Sequence, residues 1–286
     1  MRRLQLQDDT MTGPDVSDWQ SFLQDQNTLT GNADGVFGLQ TDTATRTYQT
    51  KARLTADGVV GVNTMAQALL NGYQSTTGAN IGGMDCSTNS RAFAGQIAAL
   101  GMKFVARYYS DNAEKALTAA EAQALSGAGL SIVAVFENSN DSAGLFSAAT
   151  GQSQAATALR LATAVSQPAG SAIYFAVDFD ATGTDVPGPI TNYFTAVKTA
   201  LAAAATQYAV GVYGSGLTCR VIRDAGLARF TWITGSIGFA EYATFRKQAD
   251  IVQLAPERTL ISGVSIDDDI AQSAEFGAFR LAIPAT

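Results

Sequence analysis

Two aspartates, Asp178 and Asp180, close an apolar run and could carry out acid–base chemistry. The run, residues 171–177, is rich in aromatic and β-branched side chains, which predicts a buried strand. Side chains alternate along a strand, so we expect both carboxyl groups to point to one side and Phe179 to the other. Parallel strands of α/β barrels present catalytic groups at their carboxyl ends. The alternative is that the two acids cap the next helix or end the strand in a turn.

The chain contains no histidine. This excludes Ser-His-Asp and Cys-His catalysis, and it excludes zinc sites built on imidazole. The two cysteines, Cys86 and Cys219, cannot form a four-thiolate metal site, and we expect them to be buried free thiols. Any acid–base chemistry must therefore depend mainly on carboxyl groups, helped by tyrosine or lysine.

Acids also end three other strand-like runs. Asp85 ends the first such run of the second domain, Glu137 ends the third, and Asp267 follows the last. Clustered like charges repel, so acids from distant strands at one rim are difficult to explain as stabilising devices. They are easier to explain as a site that handles a positively charged transition state. Crowding favours such a site because repulsion raises the pKa of one carboxyl group while another stays ionised.

The acidic triplet at residues 267–269 has a second interpretation as a cation site. The triplet lacks the regular spacing and the glycine of a calcium-binding loop. We therefore predict no metal and no other cofactor.

The elements that position these acids form a predicted barrel. From residue 81 onward, short apolar runs alternate with Ala-rich helical stretches, which indicates βα units and a parallel sheet. Thr118, three residues before Glu121, predicts a capped helix in this region. The candidate strands are 82–87, 103–109, 130–137, 171–180, 208–213, 230–234, 249–254 and 264–269. The predicted fold class is α/β, a compact (β/α)8 TIM-type barrel over residues 81–286 with some helices shortened or missing.

A smaller domain precedes the barrel. Residues 1–12 are predicted to form a polar tail, residues 13–72 a small three-helix domain and residues 73–80 a polar linker. Within the domain, Pro14-Asp15 is typical of a helix start.

The small domain contains an internal repeat, in which Asp34-Gly35-Val36-x-Gly38-x-x-Thr41 recurs as Asp57-Gly58-Val59-x-Gly61-x-x-Thr64. We expect each Asp-Gly to shape a tight turn rather than to contact a ligand. Thr41 or Asp42, and Thr64, are predicted to N-cap the helices that follow.

The repeat resembles the three-helix peptidoglycan-binding domain found on many bacterial wall hydrolases. The likeness covers essentially all of residues 13–72 and includes both copies of the motif. It implies binding to cell-wall glycan or peptide in a shallow groove. Such domains also occur on proteins that only dock to walls.

Residues 81 to about 280 resemble the family 25 lysozymes, and more closely a glycoside-hydrolase-like branch beside them. The likeness rests on Gly83-x-Asp85-x-Ser87 at the first strand, on Phe-Ala-Val-Asp-Phe-Asp at the fourth, and on Ala-Arg-Tyr-Tyr and Lys115-Ala-Leu-Thr between them. It implies a TIM-type barrel. Members of family 25 cleave the bond between N-acetylmuramic acid and N-acetylglucosamine.

The resemblance implies roles for the acids. Asp178 corresponds to the first acid of the family's Asp-x-Glu, and Asp180 stands where the family has a proton-donating glutamate. Because aspartate is one methylene shorter, its carboxyl group would sit back from the glycosidic oxygen, and Glu137 could supply the missing reach. Asp85 and Asp267 correspond to acids at the first and last strands, which would support the others or contact substrate.

Four other residues are candidate substrate contacts: Arg107, Tyr109, Tyr213 and Trp232. Aromatic rings at a barrel rim can stack on sugar faces, and Arg107 could pair with a muramyl carboxylate. The alternatives are core packing for the aromatic side chains and a structural ion pair for the arginine.

The sequence therefore predicts a peptidoglycan hydrolase of the muramidase type. Asp178 would stabilise the oxocarbenium-like centre or position the substrate's N-acetyl group, and Glu137 or Asp180 would be the acid. One alternative is a non-catalytic wall-binding protein with a degenerate barrel, which the aspartate at position 180 favours. Another is cleavage of a different wall polymer by the same carboxyl groups.

The predicted partner is bacterial peptidoglycan. A net charge of −7 argues against nucleic acid or an anionic membrane as the main partner. No apolar run approaches the roughly 20 residues that span a bilayer, and the start of the chain has no visible secretory signal. We expect a monomer that is made in the cytoplasm and reaches the wall through phage lysis or a secretion machine.

Overall fold

The computed structural model describes residues 4–6, 11–73, 81–261 and 263–282. The chain divides into two compact units, residues 1–82 and residues 83–286. The predicted tail and the predicted linker fall largely on residues outside this description. Within the described residues, no helix has the length and apolar character needed to cross a membrane.

The N-terminal unit packs its described helices around one tryptophan. The helices are α1 (Pro14–Asp25), α2 (Leu39–Lys51) and α3 (Val62–Leu70), and the short strands β1 (Met11–Thr12) and β2 (Val36–Phe37) pair antiparallel. Trp19 is fully buried, and its ring centroid lies 5.2 Å from that of Phe22 and 5.7 Å from that of Tyr48. The indole N–H donates to Thr45 Oγ1 at 2.9 Å. The predicted small helical domain is confirmed.

A glutamine from the preceding helix holds each copy of the internal repeat. Gln20 Nε2 lies 2.8 Å from Asp34 Oδ1 and 2.9 Å from Thr41 Oγ1, and Gln20 Oε1 accepts from the Gly35 amide. Gln49 makes the equivalent contacts in the second copy, to Asp57, Thr64 and Gly58. The motif therefore builds two matching turns.

The predicted N-caps of this unit are wrong by about one helical turn. Helix α2 begins at Leu39 after Gly38, so Thr41 and Asp42 already lie inside it. Helix α3 begins at Val62, two residues before Thr64. Instead of capping the helices, the two threonine hydroxyls accept hydrogen bonds from Gln20 and Gln49, the glutamines that hold the turns.

The second unit is a closed barrel of eight described strands, β3 to β10, arranged in chain order with β10 beside β3. Each predicted strand overlaps an observed one. The strands are β3 (Ile81–Asp85), β4 (Phe104–Tyr109), β5 (Ser131–Phe136), β6 (Ala172–Ala176), β7 (Ala209–Gly214), β8 (Phe230–Ile233), β9 (Ile251–Ile261) and β10 (Val264–Ala271).

Helices of unequal length connect the parallel strands. They are α4 (Ala94–Ala99), α5 (Ala119–Gly127), α6 (Ala148–Ala164), α7 (Thr191–Ala203), α8 (Gly216–Asp224) and α9 (Tyr242–Phe245). The predicted cap of α5 is confirmed, since Thr118 Oγ1 accepts from the Glu121 amide. Cys86 and Cys219 are buried free thiols, also as expected.

The predicted eight-stranded α/β barrel is confirmed, and only its last described strand departs from the expected parallel sheet. Strands β3 to β9 run parallel, whereas β10 is antiparallel to β9. Only residues 262 and 263 separate these two strands, and a parallel connection needs a crossover of about a dozen residues. The two strands therefore form a hairpin, and β10 runs back from the carboxyl-end rim towards the amino-end rim.

Candidate active site

Acidic side chains from several strands meet at the carboxyl ends of the parallel strands. Asp85 is the last residue of β3, Glu137 follows β5, and Asp178 lies two residues after β6. The charge of Glu137 raises the pKa of Asp85, and the charges of Asp85 and Asp178 raise that of Asp267 on β10. The structure thus brings four of the five predicted acids together.

Asp85 lies at the buried base of this cluster. Its carboxylate accepts from the Tyr108 hydroxyl at 2.8 Å and from Gln253 Nε2 at 2.8 Å. Burial raises the pKa of Asp85 to about 6, although both hydrogen bonds oppose that shift. Since Asp85 is only 2% exposed, it is placed to support neighbouring groups rather than to contact a sugar.

Glu137 is ion-paired with a lysine that the sequence patterns did not single out as a site residue. Lys115 Nζ lies 2.7 Å from Glu137 Oε1 and 4.0 Å from the centroid of the Tyr108 ring. Burial raises the pKa of Glu137, the Lys115 ammonium opposes this rise, and the charge of Asp178 adds to it. Lys115 belongs to the Lys115-Ala-Leu-Thr segment, which is the one signal that could have indicated it.

Asp178 has the exposed position at the mouth. Its backbone amide donates to the Asn140 carbonyl at 2.9 Å, and Asn140 Nδ2 donates to the Ala176 carbonyl at 2.7 Å. Partial burial raises the pKa of Asp178, and Lys115 opposes that rise. The backbone of this acid is therefore fixed while its carboxyl group stays accessible.

Asp178 and Asp180 do not lie on a strand, so the alternation prediction does not apply to them. Strand β6 ends at Ala176 and the chain bends at Phe179, so the two acids lie in a loop. Asp180 Oδ1 accepts from the Ala240 amide at 2.7 Å. Asp180 thus holds the loop that follows β8. Alternation along β6 does not align Asp180 with Asp178, because the strand has already ended.

Strand β10 contributes two acids with different exposure. Asp267 is half-buried, and burial together with the charges of Asp85 and other acids raises its pKa to about 7. Asp269 is 1% exposed, and its Oδ1 accepts from Trp232 Nε1 at 2.9 Å. Asp269 Oδ2 meets no N–H or O–H donor among the described residues. Burial and the charge of nearby Asp85 raise the pKa of Asp269 well above its usual range.

Two predicted substrate contacts, Arg107 and Tyr109, lie on the wrong side of strand β4. Successive side chains of a strand alternate, so Tyr108 faces Asp85 while its two neighbours point away. Tyr109 is fully buried and donates to Gln167 Oε1 at 2.6 Å. Arg107 is also fully buried, which leaves neither side chain available to substrate.

Arg107 instead forms the structural ion pair that was its alternative interpretation. Its Nε lies 2.7 Å from Glu121 Oε1. Its other nitrogens donate to the backbone carbonyls of Cys86 and Lys115. Glu121 also accepts from the amide and the hydroxyl of Ser90. This pair ties the segment after Asp85 to the segment that carries Lys115.

Tyr213 and Trp232 support the acids from within the barrel. The Tyr213 hydroxyl donates to Gln253 Oε1 at 2.9 Å, and the amide group of Gln253 in turn holds Asp85. Trp232 is 1% exposed, and its ring packs on Tyr213 with 5.0 Å between centroids. Their burial contradicts the prediction that these rings stack on a sugar.

Among the described residues, no group of three or more Cys, Asp or Glu side chains is placed to hold a metal ion. What the arrangement offers is a set of carboxyl groups around one mouth whose pKa values are raised to different extents. Such a set can donate a proton and stabilise positive charge.

Both units of the chain match known protein families. Residues 95–271 match the family described as "Rv2525c-like, glycoside hydrolase-like domain". Residues 12–68 match the family described as "Putative peptidoglycan binding domain". Together the two matches account for most of the chain.

A crystal structure of the Tat-secreted protein Rv2525c of Mycobacterium tuberculosis, in complex with L-tartrate, superposes with a TM-score of 0.59. The two sequences are 24% identical, and the match covers 71% of this chain and 99% of that one. At this identity the likeness concerns the fold.

Two curated relatives match over unequal shares of their length. The uncharacterized protein YbfG of Bacillus subtilis is 29% identical over 226 residues, which is 73% of this chain and 30% of YbfG. The N-acetylmuramoyl-L-alanine amidase CwlM of M. tuberculosis is 47% identical over 53 residues, 18% of this chain and 13% of CwlM. The chain therefore spans less than a third of either relative.

Proposed function

The chain belongs to the Rv2525c-like, glycoside hydrolase-like family, and from this membership we propose that it is a peptidoglycan hydrolase that cleaves glycan strands by carboxylate catalysis. The observation that carries the proposal is the convergence of Asp85, Glu137, Asp178 and Asp267, whose charges perturb one another's protonation at one mouth. The muramidase bond specificity rests on the resemblance to family 25.

Glycoside cleavage needs a carboxylate beside the oxocarbenium-like centre and a carboxylic acid beside the leaving oxygen. Asp178 suits the first task because it is exposed at the mouth and because the positive charge of Lys115 opposes the rise in its pKa that burial causes. It would stabilise the charge or position the substrate's N-acetyl group. Mutual repulsion among the remaining carboxyl groups would keep one of them protonated.

The N-terminal unit would bring this site to its substrate. Its match to a peptidoglycan-binding family supports peptidoglycan as the partner and the cell wall as the place of action. The contacts of Asp34 and Asp57 with their own turns argue that these two residues do not bind the ligand directly. Another surface of the unit would then contact the wall.

The test is Asp178→Asn in the full chain. We expect loss of lysis by at least about 100-fold, the lower end of what one acid–base group contributes, with folding intact because Asp178 is exposed. The measurements are turbidity loss and reducing-sugar release from purified cell walls. Asp224→Asn, at an exposed position on α8, is the matched control. Wild-type activity in Asp178→Asn would remove that residue from the mechanism.

One observation favours a second candidate, a non-catalytic wall-binding protein. Asp180, at the family's proton-donor position, is tied to the Ala240 amide, and Glu137 is neutralised by Lys115. Binding of cell walls without any sugar release would support this candidate. Mass spectrometry of released fragments would separate muramidase cleavage from attack on another wall polymer.

A further inference from the structure

We propose that Asp267, on the antiparallel strand β10, is the proton donor of this site, and that Lys115 keeps Glu137 as a carboxylate. The inference rests on the proposed function and assigns the acid to a strand other than the one that the family resemblance indicates. It follows from what each carboxyl group contacts.

Three of the acids lack what a proton donor needs. Asp180 accepts from the Ala240 amide, which ties its Oδ1 to the loop after β8. Asp85 is 2% exposed and accepts from two donors. Asp269 is 1% exposed and accepts from Trp232 at 2.9 Å, so a sugar cannot reach it.

Glu137 has access but the wrong neighbour. Its Oε1 lies 2.7 Å from Lys115 Nζ, and the ammonium is held in place by the face of the Tyr108 ring at 4.0 Å. The pair is partly buried, with 22% of the lysine and 20% of the glutamate side chain exposed, so solvent screens it only in part. A charge-assisted contact of this length favours the ionised carboxyl group.

Asp267 is half-buried, which leaves part of its carboxyl group open to a ligand, and the charges that act on it most strongly belong to acids. Asp85 faces it from β3, Asp178 from the loop after β6, Glu257 from β9, and Asp268 is adjacent on β10. Burial and these four charges raise its pKa. The side chain of Arg258, another residue of β9, lies outside the described part of the chain.

Water is the only reactant that this proton transfer needs besides the glycan. The Asp267 carboxyl group donates its proton to the glycosidic oxygen as the carbon–oxygen bond breaks, and it becomes a carboxylate. Asp178 stabilises the positive charge at the anomeric carbon. A water molecule then attacks that carbon and returns one proton to Asp267, which restores the starting state.

The experiment compares Asp267→Asn with Glu137→Gln in the full chain, on two substrates. One substrate is purified peptidoglycan, and the other is a dinitrophenyl glycoside of an N-acetylated amino-sugar oligosaccharide, whose leaving group needs no proton. We expect Asp267→Asn to lose at least about 100-fold on peptidoglycan and less than about tenfold on the dinitrophenyl glycoside. Glu137→Gln should lose activity on both.

The pH profile gives a second readout that a structural role would not move. Wild-type cleavage of peptidoglycan should decline as the pH rises above about 7, where Asp267 loses its proton. The decline should be absent for the dinitrophenyl glycoside, and Asp267→Glu should restore both peptidoglycan cleavage and its decline.

Equal losses on both substrates in Asp267→Asn, or no loss on either, would overturn the assignment while leaving the proposed function standing. A selective loss in Glu137→Gln would move the acid to Glu137. A wild-type chain that cleaves neither substrate would overturn the proposed function and this inference together.

Discussion

At the scale of single residues, Lys115 distinguishes the carboxyl groups of the mouth. It contacts Glu137 directly, and it opposes the rise in pKa that burial causes at Glu137 and Asp178. The largest influences on Asp267 are burial and the charges of other acids, all of which raise its pKa. Acids of the same residue type therefore experience different electrostatic surroundings.

The raised pKa of Asp267 predicts a pH-dependent cost to stability. Its folded-state pKa is about 7 against an ordinary value of 3.8, so the folded protein holds a proton that the unfolded chain loses between these pH values. Stability contributed by this group is therefore present below about pH 4 and lost as the pH rises through 7. Asp267→Asn should match wild type at pH 4 and exceed it at pH 8, by on the order of 2 kcal/mol after allowing for solvent screening.

Urea unfolding of the full chain at both pH values measures this difference. Asp224→Asn, which removes an exposed acid beside Arg223, serves as the control. An Asp267→Asn variant with the same stability gain at pH 4 as at pH 8 would contradict the prediction.

At the scale of elements, strand β4 and the hairpin of β9 and β10 organise the site. Alternation along β4 directs Tyr108 towards Asp85 and directs Arg107 into the ion pair with Glu121. The hairpin directs β10 back along the barrel wall, where Asp269 pairs in register with Gln253 of β9. Asp85 is therefore held from two strands, by Tyr108 of β4 and by Gln253 of β9.

The Arg107–Glu121 pair gives an element-scale prediction. Arg107→Met leaves the buried Glu121 charge without its cationic partner and removes the link to the Cys86 and Lys115 carbonyls. We expect a loss of about 3–5 kcal/mol in the free energy of unfolding. The double variant Arg107→Met with Glu121→Leu should be less destabilised, because no unpaired charge remains.

Urea unfolding midpoints of Arg107→Met, Glu121→Leu, the double variant and wild type test this prediction. Arg160→Met, at an exposed ion pair with Asp111, is the control and should change stability by less than about 1 kcal/mol. A double variant as unstable as the sum of its single changes would show that the pair does not act as a unit.

At the scale of the whole molecule, the chain combines two units with separate cores. Trp19 centres the first, and the barrel interior around Tyr174 and Trp232 belongs to the second, where the two rings lie 5.9 Å apart. The Rv2525c-like match covers residues 95–271 and the peptidoglycan-binding match covers residues 12–68. This division separates the proposed wall docking from the proposed chemistry.

Deletion of the N-terminal unit tests that separation. A chain of residues 81–286 retains all eight barrel strands and should fold, since its core is its own. We expect its binding to purified cell walls to fall by about tenfold or more, because one of two binding modules is lost. Its cleavage of a short soluble oligosaccharide should stay at the full-length level. Co-sedimentation with walls and a soluble-substrate assay give the two readouts, and unchanged wall binding would contradict the docking role.

Much of the fold follows from local patterns in the sequence. Apolar runs identify all eight barrel strands, the Thr118–Glu121 spacing identifies a helix cap, and the repeated Asp-Gly motif identifies two turns. These features depend on interactions within a few residues, and such interactions can be read from residue type and spacing.

The tertiary structure alone decided how distant segments meet. It determined the direction of β10, the choice of Tyr108 over Tyr109 as the partner of Asp85, and the pairing of Lys115 with Glu137. A strand's hydrophobic pattern is the same in either direction, and burial on both faces of a barrel wall hides which face is inner. Protonation is equally non-local, because each pKa depends on burial and on charges contributed by other strands. The residue types thus determined that carboxyl groups must carry most of any acid–base chemistry, and the folded barrel determined which of them are buried beside other charges so that their pKa values rise.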